Sequence, residues 1–234
     1  NRALIPFGLH HVLASLVRFT EAGGTYMLNG QEYVGILNAT NEILFNLGPT
    51  SEYWTQLMPK LTSYLGGAQM LTTLFRVPAI GLAMYHTSYL KNRKIAKGVI
   101  LTCCLTAFLG NITEPLEFSF LFISPALFIL YCVMCGIGLL PYQLLKISIG
   151  YIRGTIFDFG IFGLLYENTH WIGLVVLGIF NFIVFYFVFK WFILKFELET
   201  PGRESFEVEE SASILLKEKN WPAIAEIVID GLGG

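Results

Sequence analysis

The sequence predicts an all-α membrane protein, a polytopic helical bundle with re-entrant or broken helices around a polar site near the midplane. Three observations carry that class. The 234 residues are 54% hydrophobic and only 14% charged, with a mean hydropathy of +0.61, whereas soluble domains carry about 25% charged residues. Between Gly98 and Phe189 the charged residues are Glu114, Glu117, Lys146, Arg153, Asp158 and Glu167, six in 92 positions, which is a membrane density. The stretch Gly110–Phe118, GNITEPLEF, sets two carboxylates, an Asn, a Thr and a Pro between the apolar runs Val99–Leu109 and Phe118–Leu140. An acid inside membrane-spanning sequence marks a functional site. The net charge of −2 offers nucleic acid no footing.

Arg2–Phe19 is mostly apolar, and Pro6 and Gly8 break a helix just before His10 and His11. Adjacent helical residues point about 100° apart, so at most one of the two faces a given ligand squarely. Either could equally be a core residue bonded to a backbone carbonyl. Neither has a second ligand at i+3 or i+4, so no metal site is expected. Thr20–Gly67 is polar, rich in Gly and Asn, and reads as a long loop or hairpin with short amphipathic helices. Gln69–Leu90, at 22 residues, is long enough to span, with Arg76-Val77-Pro78 as an interruption. Lys91–Lys97 is a compact basic loop, cytoplasmic by the positive-inside rule.

Val99–Leu109 is 11 residues, too short to cross and suited to a re-entrant dip. Phe118–Leu140, 23 apolar residues, should cross in one piece. Pro141–Tyr166 alternates apolar stretches with Lys146, Arg153, Asp158 and four glycines, as a half-buried or broken segment. Trp171–Leu194 is the cleanest span, and Lys190 and Lys195 place its end on the cytoplasmic side. One dip and two crossings thus return the chain to the side of the basic loop. Residues 1–196 form the membrane-embedded part. Glu197–Lys219 holds ten charges in 23 residues and reads as a solvated linker. Residues 220–234 recover apolar spacing as the start of a soluble domain. The opening on Asn1-Arg2, without Met or a signal-peptide pattern, and the close on Gly-Leu-Gly-Gly suggest a piece cut at both ends.

Within the acid motif, Pro115 disfavours the α conformation at Glu114 and suits the first turn of a helix. Glu114 then falls at the N-cap, and Glu117 at the third helical position, where a carboxylate caps free amides. Glu caps poorly, which leaves Glu114 the stronger candidate for ligand contact: a carboxylate at a chain break accepts hydrogen bonds from paired hydroxyls, and transporters build sites from such broken helices. Cys103, Cys104, Cys132 and Cys135 all lie in apolar runs with no His nearby in sequence, so they read as small buried hydrophobes rather than a metal or redox pair.

LIPFGLHH, RVPAIGLAMYHTS with the basic loop, GNITEPLEFSFLF and TPGRE together resemble the sugar-transporting enzyme IIC of the bacterial phosphotransferase system (PTS), glucose/maltose/α-glucoside branch. The resemblance covers nearly the whole chain, from the second half of IIC to the beginning of IIB. It implies a polytopic helical transporter domain with a midplane sugar site, in a multi-pass homodimer of the bacterial inner membrane. It also implies a sugar substrate (glucose, maltose or another α-glucoside), the IIB domain and IIA protein as partners, and no cofactor. Glu114 and His10 or His11 are implied to contact sugar hydroxyls, with Asn111 and Thr113 lining the same pocket. A phosphocysteine of IIB, beyond Gly234, is implied to phosphorylate the sugar, with Glu114, His10 or His11 as candidate base near the accepting hydroxyl. Readings that compete on the residues alone are an ion-coupled secondary sugar transporter, in which Glu114 carries a proton or sodium, and a membrane sugar sensor.

Overall fold

The computed structural model describes residues 2–64 and 66–204, and the chain divides into a compact unit of residues 1–202 and a second of 203–234. The first unit is mostly helical. A 3-10 turn at Arg2–Phe7 leads into α1 (His10–Phe19), Gly8 taking a positive φ of 68° between them. A two-stranded antiparallel hairpin follows, β1 (Thr25–Leu28) on β2 (Gln31–Val34), with Asn29-Gly30 at the turn in left-handed conformations, as the tightest hairpin connection requires. Short helices α2 (Ile36–Asn41), α3 (Glu52–Gln56) and α4 (Met58–Tyr64) complete the segment. The hairpin and short helices agree with the reading of Thr20–Gly67. Far from being a loop, though, it buries Trp54, Met58, Ile43 and Leu44 in a core shared with Tyr142, Tyr151 and Leu174 from later in the chain.

α5 (Gly66–Leu71) and α6 (Val77–Thr87) are joined by a π-helical turn, Thr72–Arg76, into one run of helix. The expected interruption at Arg76-Val77-Pro78 does not occur. Pro78 lacks an N–H and its ring crowds the preceding turn. The wider π turn just before it absorbs that crowding, and the helix continues. α7 (Arg93–Gly110) is 18 residues long, about 27 Å at 1.5 Å per residue. The helix is thus longer than the 11-residue dip: the basic loop supplies its first turn, and the four cations there mask its start.

α7 stops at Asn111, in the left-handed region at φ 57°, ψ 34°, a conformation that Asn tolerates better than other side chains. α8 (Glu114–Leu121) and α9 (Pro125–Ile137) follow. The single crossing expected over Phe118–Leu140 is thus two helices broken at Phe122–Ser124. Pro125 restrains Ser124 to an extended backbone, and the Ser124 hydroxyl caps α9 by accepting from the Leu127 amide. α10 (Pro141–Leu144), an extended stretch, α11 (Ile156–Asp158) and a π turn at Phe159–Leu164 make up the irregular segment the glycines suggested.

α12 (Trp171–Lys195) is 25 residues long and is, among the described residues, the helix long and apolar enough to cross a membrane. Its first half packs Leu174 and Leu177 into the core around Trp54 and Tyr151. Its second half packs Phe185, Phe189 and Ile193 with Ile80, Met84 and Phe120. After α12, Thr200 is buried and the Gly202 carbonyl accepts from the Tyr89 amide at 3.0 Å. The first residues of the charged stretch that begins at Glu197 thus dock on the α6–α7 turn. Residues 205–234, with most of the expected linker and the start of a soluble domain, lie outside the described residues.

Candidate functional site

Sequence segments more than a hundred residues apart meet at a cavity of about 810 Å³. α1 contributes His10 and His11, the α7–α8 break contributes Asn111, Thr113 and Glu114, and Arg2 enters from the 3-10 turn. All five site residues expected from sequence line this cavity.

His10 Nε2 lies 3.2 Å from Glu114 Oε1, with the two side chains 13% and 24% exposed. A carboxylate is acceptor-only, so Nε2 donates to it, and in the neutral ring Nδ1 then carries the lone pair. Nδ1 is buried and has no protein partner. His11 is exposed, its ring centroid 4.0 Å from that of His10. The site thus offers a free carboxylate edge and an imidazole acceptor side by side. One donor atom from each of His10, His11 and Glu114 falls within 4.8 Å of the others. The missing i+3 or i+4 ligand did not exclude three convergent donors, because Glu114 supplies the third from 104 positions away.

Glu114 is not the cap of α8. It is the first helical residue, and Thr113 holds the cap position. Nor does Glu117 cap the helix with its side chain. It is 1% exposed, and its Oε1 accepts from Arg2 Nη1 and from the Tyr131 hydroxyl, each at 2.6 Å. Arg2 Nη1 also donates to Thr113 Oγ1 at 2.6 Å. Thr113 therefore holds Arg2, and Arg2 ties the entry of α1 to the α7–α8 break, the two pieces that carry His10 and Glu114.

Sequence reasoning passed over Arg2. The available signal was that a buried acid needs a cation: Arg2, Arg18, Lys60, Arg76, Lys146 and Arg153 were the choices ahead of the last helix and outside the basic loop. Pattern alone does not pick among them. The cysteines pack as hydrophobes: Cys135 belongs to the core around Tyr131, and Cys103, Cys104 and Cys132 sit against it.

The model of the family described as "Phosphotransferase system, EIIC" matches residues 1–136. The chain is 38% identical over 206 residues to the PTS system maltose-specific EIICB component of Escherichia coli (strain K12), covering 88% of this chain and 38% of that protein. It is 33% identical over 238 aligned positions to the PTS system glucose-specific EIICBA component of Staphylococcus carnosus (strain TM300), covering 100% and 32%. With the glucose-specific EIICBA component of Staphylococcus saprophyticus it shares 35% over 214 residues, covering 89% and 29%. The chain thus spans about a third of the length of these relatives.

Proposed function

Because the chain belongs to the EIIC family of the phosphotransferase system, a membrane component, we propose that it is the sugar-binding part of a permease of the glucose/maltose type. In the whole protein it moves a hexose or α-glucoside inward with coupled phosphorylation. Residues 1–196 are the membrane-embedded IIC part, crossing the bilayer more than once. Residues 197–219 are a linker, and 220–234 begin a IIB domain. The partners are the IIB domain, the IIA protein and a second copy of the chain, in the bacterial inner membrane.

The observation that carries this reading is the His10–Glu114 pair facing a cavity of about 810 Å³, within the range of small-ligand sites. A neutral sugar presents hydroxyls that both donate and accept. Glu114 accepts from two adjacent hydroxyls, and His10 Nδ1 accepts from a third. Asn111 adds an amide at the same opening. When the phosphoryl group passes from a IIB cysteine, the P–S bond breaks and a P–O bond forms to a sugar hydroxyl. The proton of that hydroxyl goes to the Glu114–His10 pair, whose positions Arg2 fixes through Thr113 and Glu117.

The decisive test is uptake of labelled glucose and maltose by cells carrying the full-length protein and lacking their own permeases for these sugars. The expected product is sugar phosphate, formed only with phosphoenolpyruvate and the relay proteins present. Accumulation of free sugar driven by a proton or sodium gradient would favour the secondary-transporter reading. Binding without accumulation would favour a sensor.

A further inference from the structure

The cavity holds more positive charge than a neutral sugar needs. Besides Arg2, whose charge is matched by Glu117, it is lined by Arg18, Arg76 and Arg153, while Glu114 is the lining acid. Arg76 is the most constrained of these. It is 1% exposed, and no carboxylate among the described residues pairs with it. Its Nε donates to Asn181 Oδ1 at 2.9 Å, and its Nη1 lies 3.5 Å from the Thr72 hydroxyl. The guanidinium sits 5.3 Å from the centre of the Phe185 ring. Asn181 is itself fixed by its amide nitrogen, which donates to the Gly138 and Leu177 carbonyls. Gly138 leaves the room: a Cβ there would lie 2.3 Å from Asn181 Oδ1 and 2.9 Å from Arg76 Nη2.

One edge of this rigidly held cation is left over. Nη2 is buried and unpartnered, on a residue that lines the cavity. Arg18 repeats the pattern: its Nε is buried and unpartnered, while its Nη2 reaches Gln69 at 3.0 Å when the Gln69 amide is turned to satisfy its neighbours. Gln69, Thr72 and Arg76 are spaced three and four residues apart on one helical run, so they share a face, and all three line the cavity. A buried cation without a counter-charge is costly, and a planar guanidinium with a free edge matches a phosphate.

We propose that Arg76, with Arg18, forms a subsite for a phosphate monoester, so that the cavity holds the phosphorylated sugar as well as the neutral one. This rests on the phosphotransferase reading above. The neutral sugar engages His10 and Glu114, and its phosphate, once formed, is met by the free guanidinium edges. A lipid phosphate could satisfy the same groups, so the test separates the two sources.

The experiment uses the full-length protein in nanodiscs of phosphatidylcholine and, separately, of phosphatidylglycerol. Displacement of labelled glucose or maltose is measured with the unlabelled sugar and with glucose 6-phosphate. The reported quantity is the ratio of the two affinities. In the wild type, glucose 6-phosphate should compete at least as well as the neutral sugar in either lipid. In Arg76→Gln the ratio should fall by about tenfold or more, the scale of a hydrogen bond to a charged group. Arg18→Gln, on a different helix, is read the same way, which keeps the test alive if Arg76→Gln does not fold. A ratio unchanged in every variant that folds overturns the subsite. Competition by glucose 6-phosphate that vanishes in phosphatidylglycerol but not in phosphatidylcholine would assign these arginines to lipid and also overturn it. If the wild type binds neither sugar, the permease reading itself has failed.

Discussion

Replacing Arg2 by Met leaves Glu117 charged, buried and facing the Tyr131 hydroxyl alone. Removing one partner of a buried ion pair costs about 3 kcal/mol or more, so Arg2→Met should lower thermal stability in detergent clearly, and Arg2→Met with Glu117→Leu should recover much of the loss. An Arg2→Met protein as stable as wild type would mean the pair holds nothing together. The two histidines differ in what they touch. His10 donates to Glu114 and keeps a buried acceptor, whereas His11 is exposed beside it. Sugar binding should therefore weaken roughly two- to tenfold in His10→Ala, the size of a lost hydrogen bond to a neutral ring, and clearly less in His11→Ala. Equal losses would show that both rings are ligands. The sequence named both residues without choosing, since adjacency says only that one can face a ligand. The choice comes from Glu114, whose approach depends on tertiary packing.

Helix breaks were legible from sequence where they depend on local chemistry. Pro115 marked the start of α8, and the glycines of Pro141–Tyr166 marked an irregular stretch. Two prolines misled. Pro78 reads as an interruption but sits after a π turn that carries the helix through it, and a π turn has no sequence signature of its own. Pro125 was overlooked inside a long apolar run, although with Ser124 it is a well-formed helix start. After α12 the first residues of the charged stretch pack against the α6–α7 turn. Ten charges suggested solvent, but Gly202, at φ 88°, packs where an added Cβ would lie 2.6 Å from Ala96 Cβ and 2.7 Å from Ser88 Cβ. Gly202→Ala should therefore release this segment, and exchange of the Tyr89 amide, which bonds the Gly202 carbonyl, should speed by about tenfold or more. Unchanged protection would show that the docking does not depend on the glycine.

At the scale of the whole molecule, two cores share α12, and much of the helix faces away from both. Ile172, Val176, Phe180, Ile183 and Phe187 on α12 are each about half or more exposed. A contiguous apolar surface of that kind is unfavourable in water and suits lipid, in keeping with a membrane family. Composition foretold this class because charge depletion is a property of the whole chain. It could not foretell the cavity, which needs Arg2, His10 and Glu114 brought together from opposite ends of residues 1–136. The central claim is that this cavity receives a sugar through Glu114. Equilibrium binding of labelled glucose and maltose to the purified full-length protein, wild type against Glu114→Gln, tests it most directly. A charged acceptor bonded to hydroxyls contributes about 1.5–3 kcal/mol per bond, so binding of at least one of the two sugars should fall by about tenfold or more while the variant still inserts and unfolds like the wild type. Wild-type affinity in Glu114→Gln would contradict the account.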